Sequence, residues 1–301
     1  MNAGAAERGR ARAALALSRF AEAAAHAARA IGENPGAVDG YGLLGQAEIG
    51  LGKPANALAT AERGLGVSAD SEWLHRLRSI ALRQLSKHKQ AVAAANEAVR
   101  LAPDVPQAHY VLAQAFAATG RRKEALAEAE RTRELDPSNA LYVTLLGDLY
   151  LKKKPKLAEE YYRQSLALDP ESAATLNNLG VSLLRQRRTV DAAAAFKSAV
   201  LLDPTLAVAR RNAHSTLDAM LRGGGVLGLV IGLQAVLRGF SILNGPTGLW
   251  LGAVLIGTTV VVWFLFRKWR TASNRKKLAR ADPQLLSIYE KLRADKKTGH
   301  L

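Results

Sequence analysis

Read for side-chain size and polarity, the chain repeats itself about every 34 residues. Alanine holds one column throughout, at Ala23, Ala57, Ala91, Ala125, Ala158 and Ala192. Four residues on, a second column reads Ala27, Ala61, Ala95, Ala129, Tyr162 and Phe196. Three further on, a third reads Ala30, Gly64, Ala98, Thr132, Ser165 and Ala199. Offsets of three, four and seven lie on one stripe of an α-helix, and small side chains there let two helix backbones approach closely. Upstream of these columns stands a large-then-small pair, Leu44-Gly45, Leu112-Ala113, Leu146-Gly147 and Leu179-Gly180, often followed by a bulky residue such as Phe116, Tyr150 or Leu183. Each copy closes on punctuation: Pro35, Pro103, Pro137, Pro170 and Pro204, with Ala69 standing at the missing beat. Proline fits the first turn of a helix but not its interior, so each of these marks a break between units. The pattern predicts two helices per unit, stacked in series.

These columns resemble the tetratricopeptide repeat family. The matching copies are 38–71, 72–105, 106–139, 140–172 and 173–206, with a degenerate first copy near 4–37. The resemblance implies an all-α fold, a right-handed α-solenoid of about six helix pairs, serving as an interaction surface and not as an enzyme. Two departures stand out: Arg78-Ser79 occupies the large-small pair of the third copy, and the fifth copy is one residue short near Lys154-Pro155. Positions that line the inner groove in the family fall here on Trp73, Arg76, Ile80 and Arg83, on Tyr110 and Gln114, on Thr144 and Asp148, and on Asn177 and Val181. Their mixture of aromatic, amide and charged groups suits an extended peptide or a helix of a protein partner. Arg76 is followed by Ile80 and not by asparagine, so the family's carboxylate clamp is not expected.

The alphabet changes after the last repeat. Residues 205–222 read as a capping helix, completing an N-terminal region of 1–222. After Gly223-Gly224-Gly225, residues 247–266 run for twenty positions without a charge, with Trp250 and Trp263 near the ends. That length spans a bilayer as a helix, and tryptophan favours its interfaces. The preceding stretch, 224–243, is apolar from Val226 to Leu233 but includes Gln234 and Arg238. With Asn244-Gly245-Pro246 as the turn, 223–266 reads as a transmembrane helical hairpin; the alternative is a first segment lying in the interface and one crossing. Gly224, Gly228 and Gly232, then Gly248 and Gly252, repeat at four-residue spacing, which would close the hairpin or pair two copies.

Charge adds an orientation. The chain carries a net charge of +16, and half of that excess sits in residues 267–301. Arg267, Lys268, Arg270, Arg275, Lys276 and Lys277 form a basic juxtamembrane surface suited to anionic lipid, while Arg210, Arg211 and Arg222 flank the other end. Both flanks are expected on the cytoplasmic face, with residues 1–30 lacking a signal-peptide pattern, which places the protein in the inner membrane with two spans and both termini cytoplasmic. Charge alone would admit nucleic acid, but aromatic interleaving is limited to Trp269, so nucleic acid is not an expected partner. Asp282-Pro283 opens a short tail helix whose stripe of Leu285, Leu286, Ile288, Tyr289 and Leu292 needs a surface: lipid, the repeats, or a partner.

Little points to chemistry. There is no cysteine, which removes disulfides and thiolate catalysis. Gly40-Tyr41-Gly42-Leu43-Leu44-Gly45 matches a dinucleotide motif in letters only, since no strand precedes it. His75 and His109 stand 34 apart, at equivalent packing positions, and no cofactor or metal is expected. The leading expectation is a membrane-tethered scaffold. A structural subunit of a larger membrane complex or a homo-oligomer, and an envelope-assembly factor with its repeats outside the cytoplasm, are the alternatives.

Overall fold

The computed structural model describes residues 3–222, 261, 264–265, 268–269, 271–280 and 282–299. The described chain is helical, and its contacts divide it into two units, Met1–Leu168 and Asp169–Leu301.

In the first unit the helices are α1 (Ala3–Ala16), α2 (Phe20–Glu33), α3 (Val38–Gly50), α4 (Pro54–Val67), α5 (Glu72–Gln84), α6 (His88–Leu101), α7 (Pro106–Ala118), α8 (Arg122–Leu135), α9 (Ala140–Leu151) and α10 (Pro155–Leu168). They pack as five pairs, each also resting on the next. The first helices of successive pairs form one close-packed layer, with α1 on α3, α3 on α5 and α5 on α7. The second helices meet chiefly the first helices on either side, and so form the outer layer.

The repeating alanines are the reason for this packing. All six residues of the first alanine column are fully buried, and Ala30, Ala98, Thr132, Ser165 and Ala199 of the third are equally inaccessible. In two of the pairs a glycine of the first helix receives an aromatic ring from the second. A Cβ on Gly147 would stand 2.5 Å from the Tyr162 ring, and one on Gly180 would stand 2.5 Å from Phe196. In the fourth pair alanine faces both ways, with Ala113 and Ala129 fully buried at the same two positions. The odd third pair is accommodated: Ser79 is buried and donates to the Ala91 carbonyl at 2.8 Å, while Arg78 lies partly exposed near Glu62.

The turns within pairs obey the same period. Ser18, Gly52, Ser86 and Gly120 stand 34 residues apart with positive φ, and Arg187 follows two copies later. A left-handed residue after a helix lets its last carbonyls find donors, as Lys87 N–H does at Leu82 O (2.8 Å) and Arg121 N–H at Phe116 O (3.0 Å). The residue missing from the fifth copy is this one. Its turn, Lys152–Lys154, has no positive φ and closes with Lys154 N–H on Tyr150 O at 2.8 Å. Between pairs, Ser71 and Asn139 cap α5 and α9 with their side chains. The degenerate first pair is pinned by polar contacts: Glu7 accepts from His26 Nδ1 at 2.7 Å and from Arg29 Nε at 2.8 Å. These donors, His26 first, hold its carboxyl at about 2.

The second unit contains α11 (Ala173–Arg185), α12 (Thr189–Leu202), α13 (Ala207–Arg222), the helical residues 271–280 and α14 (Pro283–Lys297). Asp282 caps α14 by accepting from Leu285 N–H at 2.9 Å. The tail helix finds its surface on the repeats: Leu285 and Tyr289 join Ala193, Leu217 and Leu221 in one buried cluster. Three polar contacts fix the docking, Lys197 to Asp282 at 2.7 Å, Arg210 to Asp295 at 2.6 Å, and the Tyr289 hydroxyl to Asp218 at 3.1 Å. Within this unit α14 shares a buried core with α12 and α13.

Among the described residues no helix is long and apolar enough to cross a membrane. The segment 224–243 with Gly224, Gly228 and Gly232 lies outside the described residues, as does 247–266 with Gly248 and Gly252, apart from Val261, Phe264 and Leu265.

The glycine-aromatic fit makes a measurable claim. Gly147→Ala should cost about 1–3 kcal/mol of unfolding free energy by overpacking Tyr162. In a Tyr162→Ala background the same change should cost nothing, giving a clear coupling in a denaturant-titration double-mutant cycle. Equal costs in both backgrounds would sink the interpretation.

Candidate partner-binding face

The inner layer of the first unit brings most of the sequence-predicted groove residues onto one face. From α5 come Arg76, Ile80 and Arg83, from α7 Tyr110 and Gln114, and from α9 Thr144 and Asp148; all are partly exposed or exposed. Helical spacing places each set on one side of its own helix, and the contacts of α5 with α7 bring two sets together.

The polar groups on this face hold one another in position. Glu72 grips Arg76 with two hydrogen bonds, 2.6 Å from Nε and 3.1 Å from Nη2. Arg83 Nη2 donates to Gln114 Oε1 at 3.0 Å, linking α5 to α7. Tyr110 and Tyr142 rings meet at 5.5 Å, tilted by 46°. Burial and then the nearby Asp148 charge push the Tyr110 phenol up to about 12, with Arg83 acting in the opposite direction. Asp148 itself accepts the Tyr162 hydroxyl at 2.7 Å. Arginine stands at one end of this network and an exposed carboxylate at the other, with aromatic surface between. Such a face can donate hydrogen bonds to backbone carbonyls or carboxylates and can stack on apolar side chains.

Several of the sequence-predicted residues also make contacts within the fold. The Trp73 ring lies against the backbone of α3, where a Cβ on Gly42 would stand 2.5 Å away. The indole belongs to the apolar clusters of the first pairs and is only partly buried. Thr144 spends its hydroxyl on Ala140 O at 3.0 Å and on Ser165 at 2.7 Å. In the second unit Asn177 is buried, accepting from Asn212 Nδ2 at 2.8 Å, so its amide is committed to packing and not offered to a partner. Val181 is partly exposed beside it on α11.

The remaining motifs resolve into packing as well. Gly40, Gly42 and Gly45 all lie within α3, and the first would clash with Ile31 if it carried a Cβ. His75 Nε2 bonds Ala69 O at 2.9 Å and His109 Nε2 bonds Pro103 O at 2.8 Å. Each ties a helix back to the turn before it, as the Tyr41 hydroxyl does at Pro35 O. Among the described residues no three metal-ligating side chains gather. Tyr142 went unseen in the sequence because Ala108 and Leu74 hold its column in the preceding copies, and nothing there marks an aromatic contact. Of the basic residues that follow the apolar run, Lys268, Lys276 and Lys277 are exposed, Arg275 pairs with Glu290, and Arg267 and Arg270 lie outside the described residues.

Comparison with known proteins agrees with this geometry. A family model described as tetratricopeptide repeat matches residues 8–71, 76–140 and 145–207. The type IV pilus assembly protein PilF of Pseudomonas aeruginosa is 42% identical over 60 residues, which is 20% of this chain and 24% of that protein, so the chain matches about a quarter of that relative's length. Among solved structures, a thermophilic TPR protein of Thermus thermophilus superposes with a TM-score of 0.57 at 21% identity, covering 60% of this chain and all of that one. A chain of the APC/C hetero-tetramer Cut9-Hcn1 gives 0.58 at 17% identity, covering 91% of this chain and 53% of that one. These two likenesses concern the fold alone.

Packing and surface residues should separate in stability measurements. Trp73→Ala should lower the unfolding free energy by about 3 kcal/mol, the cost of removing a large core ring. Arg76→Ala should cost less than about 1 kcal/mol, because it removes one partly exposed ion pair. A Trp73→Ala variant as stable as the parent in a denaturant titration would overturn the packing role.

Proposed function

The chain belongs to the tetratricopeptide repeat family, and we propose that it is a membrane-tethered scaffold that captures a protein or peptide partner on its inner helical layer. The observation that carries this reading is the fixed ladder of Arg76, Arg83, Tyr110, Gln114 and Asp148 on that layer. These groups are positioned before any partner arrives, which lowers the entropy cost of binding. No residue set on the described surface suggests catalysis, and the reading is of a binding protein.

The tether reading rests on the uncharged run 247–266 and on how the chain behaves around it. Asn274 Nδ2 donates to the carbonyls of Met220 at 3.3 Å and Leu221 at 3.2 Å, in the last turn of α13. The chain thus departs after Arg222 and returns to the place it left. If 223–266 enters a bilayer, an even number of crossings follows, because α13 and α14 share one core and must lie on one side. The positive flanks favour the cytoplasmic side. Anionic lipids and the inner membrane complete this picture.

A second reading keeps the repeats outside the cytoplasm, in envelope assembly. The 60-residue similarity to a pilus assembly protein favours it, although a shared repeat accounts for similarity of that length.

Two experiments test these statements. A photo-crosslinking residue placed at Gln114 in the membrane-bound full chain should trap a defined partner, one at Lys89 on the outer layer should not, and Arg76→Ala should reduce the Gln114 adduct about tenfold. An unchanged adduct in that variant would move the binding surface elsewhere. Reporter fusions at both termini should be active in the cytoplasm, with a reporter at Asn244-Gly245-Pro246 on the opposite side. Termini on opposite sides, or an exported amino terminus, would refute the tether topology.

A further inference from the structure

We propose that the base of the tether holds a binding site for the phosphate headgroup of an anionic phospholipid; this deepens the membrane reading above and rests on it. A cavity of about 520 Å³ lies between α13, the helical residues 271–280 and α14. Lys268, Arg275 and Arg293 reach its wall from separate positions, two from the residues that follow the apolar run and one from the tail helix. The Thr271 and Tyr289 side chains add hydroxyls. Against three cations the lining offers one carboxylate, Asp218, which already accepts the Tyr289 hydroxyl at 3.1 Å. Glu290 competes for Arg275 but is not part of the lining. The balance favours an anion, and the guanidinium groups match a phosphate's oxygens in pairs.

The rest of the lining selects the kind of anion. Phe264 also lines the cavity, and Val261, Phe264, Leu265 and Trp269 expose 57%, 55%, 62% and 66% of their surfaces nearby in the chain. A free phosphate has no use for this apolar surface, whereas the glycerol and first methylenes of a lipid do. In the tether reading Phe264 lies in the last turn of the span 247–266 and Lys268 follows that span, which puts the cations at headgroup depth. The docking of α14 supplies Tyr289 and Arg293 to the lining, so the site is complete only when the tail helix is in place.

The test is native mass spectrometry of the full chain in mild detergent, offered equal phosphatidylglycerol and phosphatidylcholine. The parent should retain the anionic lipid at least fivefold better. Lys268→Gln and Arg293→Gln should each lower that retention about fivefold, while Lys296→Gln, an equal loss of charge on the same tail helix but outside the cavity, should change it less than twofold. Equal losses in all three variants would show diffuse attraction and overturn the site. So would an absence of lipid preference, or displacement of the lipid by an equal concentration of inorganic phosphate. Membrane insertion is scored separately by resistance to carbonate extraction. An inserted chain without headgroup preference sinks this inference alone, whereas a chain released by carbonate sinks the tether reading first.

Discussion

Close approach of two helix backbones across a column of alanine and glycine is the constraint on which the rest depends. A helix pair with no room for side chains at its centre has little tolerance in volume, so whatever one helix removes the other must fill. The chain meets this requirement in more than one way. Alanine faces alanine in the fourth pair, and glycine receives tyrosine or phenylalanine in the fifth and sixth. The hydroxyls of Ser79, Thr132 and Ser165 enter the same tight columns only because each finds a backbone carbonyl: Ala91, Glu128 and Ala140. The residues at these two facing positions vary from pair to pair, while the fully buried alanine column beside them does not.

That economy leaves the opposite face of the inner helices free to vary, and variation there is where a binding function can reside. The ion pair within α5, the arginine-glutamine link to α7 and the tyrosine contact between α7 and α9 span three successive pairs. None of these contacts is needed to close a pair. They hold long, flexible side chains in one arrangement, which is a cost in conformational entropy that a mere solvated surface need not bear.

Much of the fold was legible in the sequence, because its signal is periodic and backed by a physical requirement at each beat. The alanine columns, the prolines between pairs and the left-handed turn residues all recur at the spacing the helices impose. Even the shortened fifth copy is explained by the turn residue it lacks. The face was less legible. Trp73 carried the attributes of an anchor, yet its ring is taken up by the glycine opposite, and a glycine in a neighbouring repeat is invisible to a reading made one copy at a time. Asn177 likewise looked like a groove residue until its partner Asn212, 35 positions away on α13, claimed its amide. Tyr142 was hidden for the converse reason, being an aromatic in a column that leucine and alanine hold in the two preceding copies. Pairwise contacts between copies decide these cases, and the repeat register does not encode them.

The tail helix shows how the end of a repeat array can be put to use. A stack of identical pairs ends in an apolar face that must be covered, and α14 covers the α12–α13 surface with Leu285, Tyr289 and Leu292. A contiguous helix could have done this directly after α13. Instead, some sixty residues intervene, and the chain returns to dock beside the carbonyls at the end of α13. The described residues that flank the intervening segment therefore meet, Asn274 on one side bonding the last turn of α13 on the other. An apolar segment fastened at both ends can enter a bilayer only as a re-entrant or even-crossing unit, whatever its own sequence prefers. In the tether reading, topology follows from the polar contacts of Lys197, Arg210 and Asn274 as much as from hydropathy.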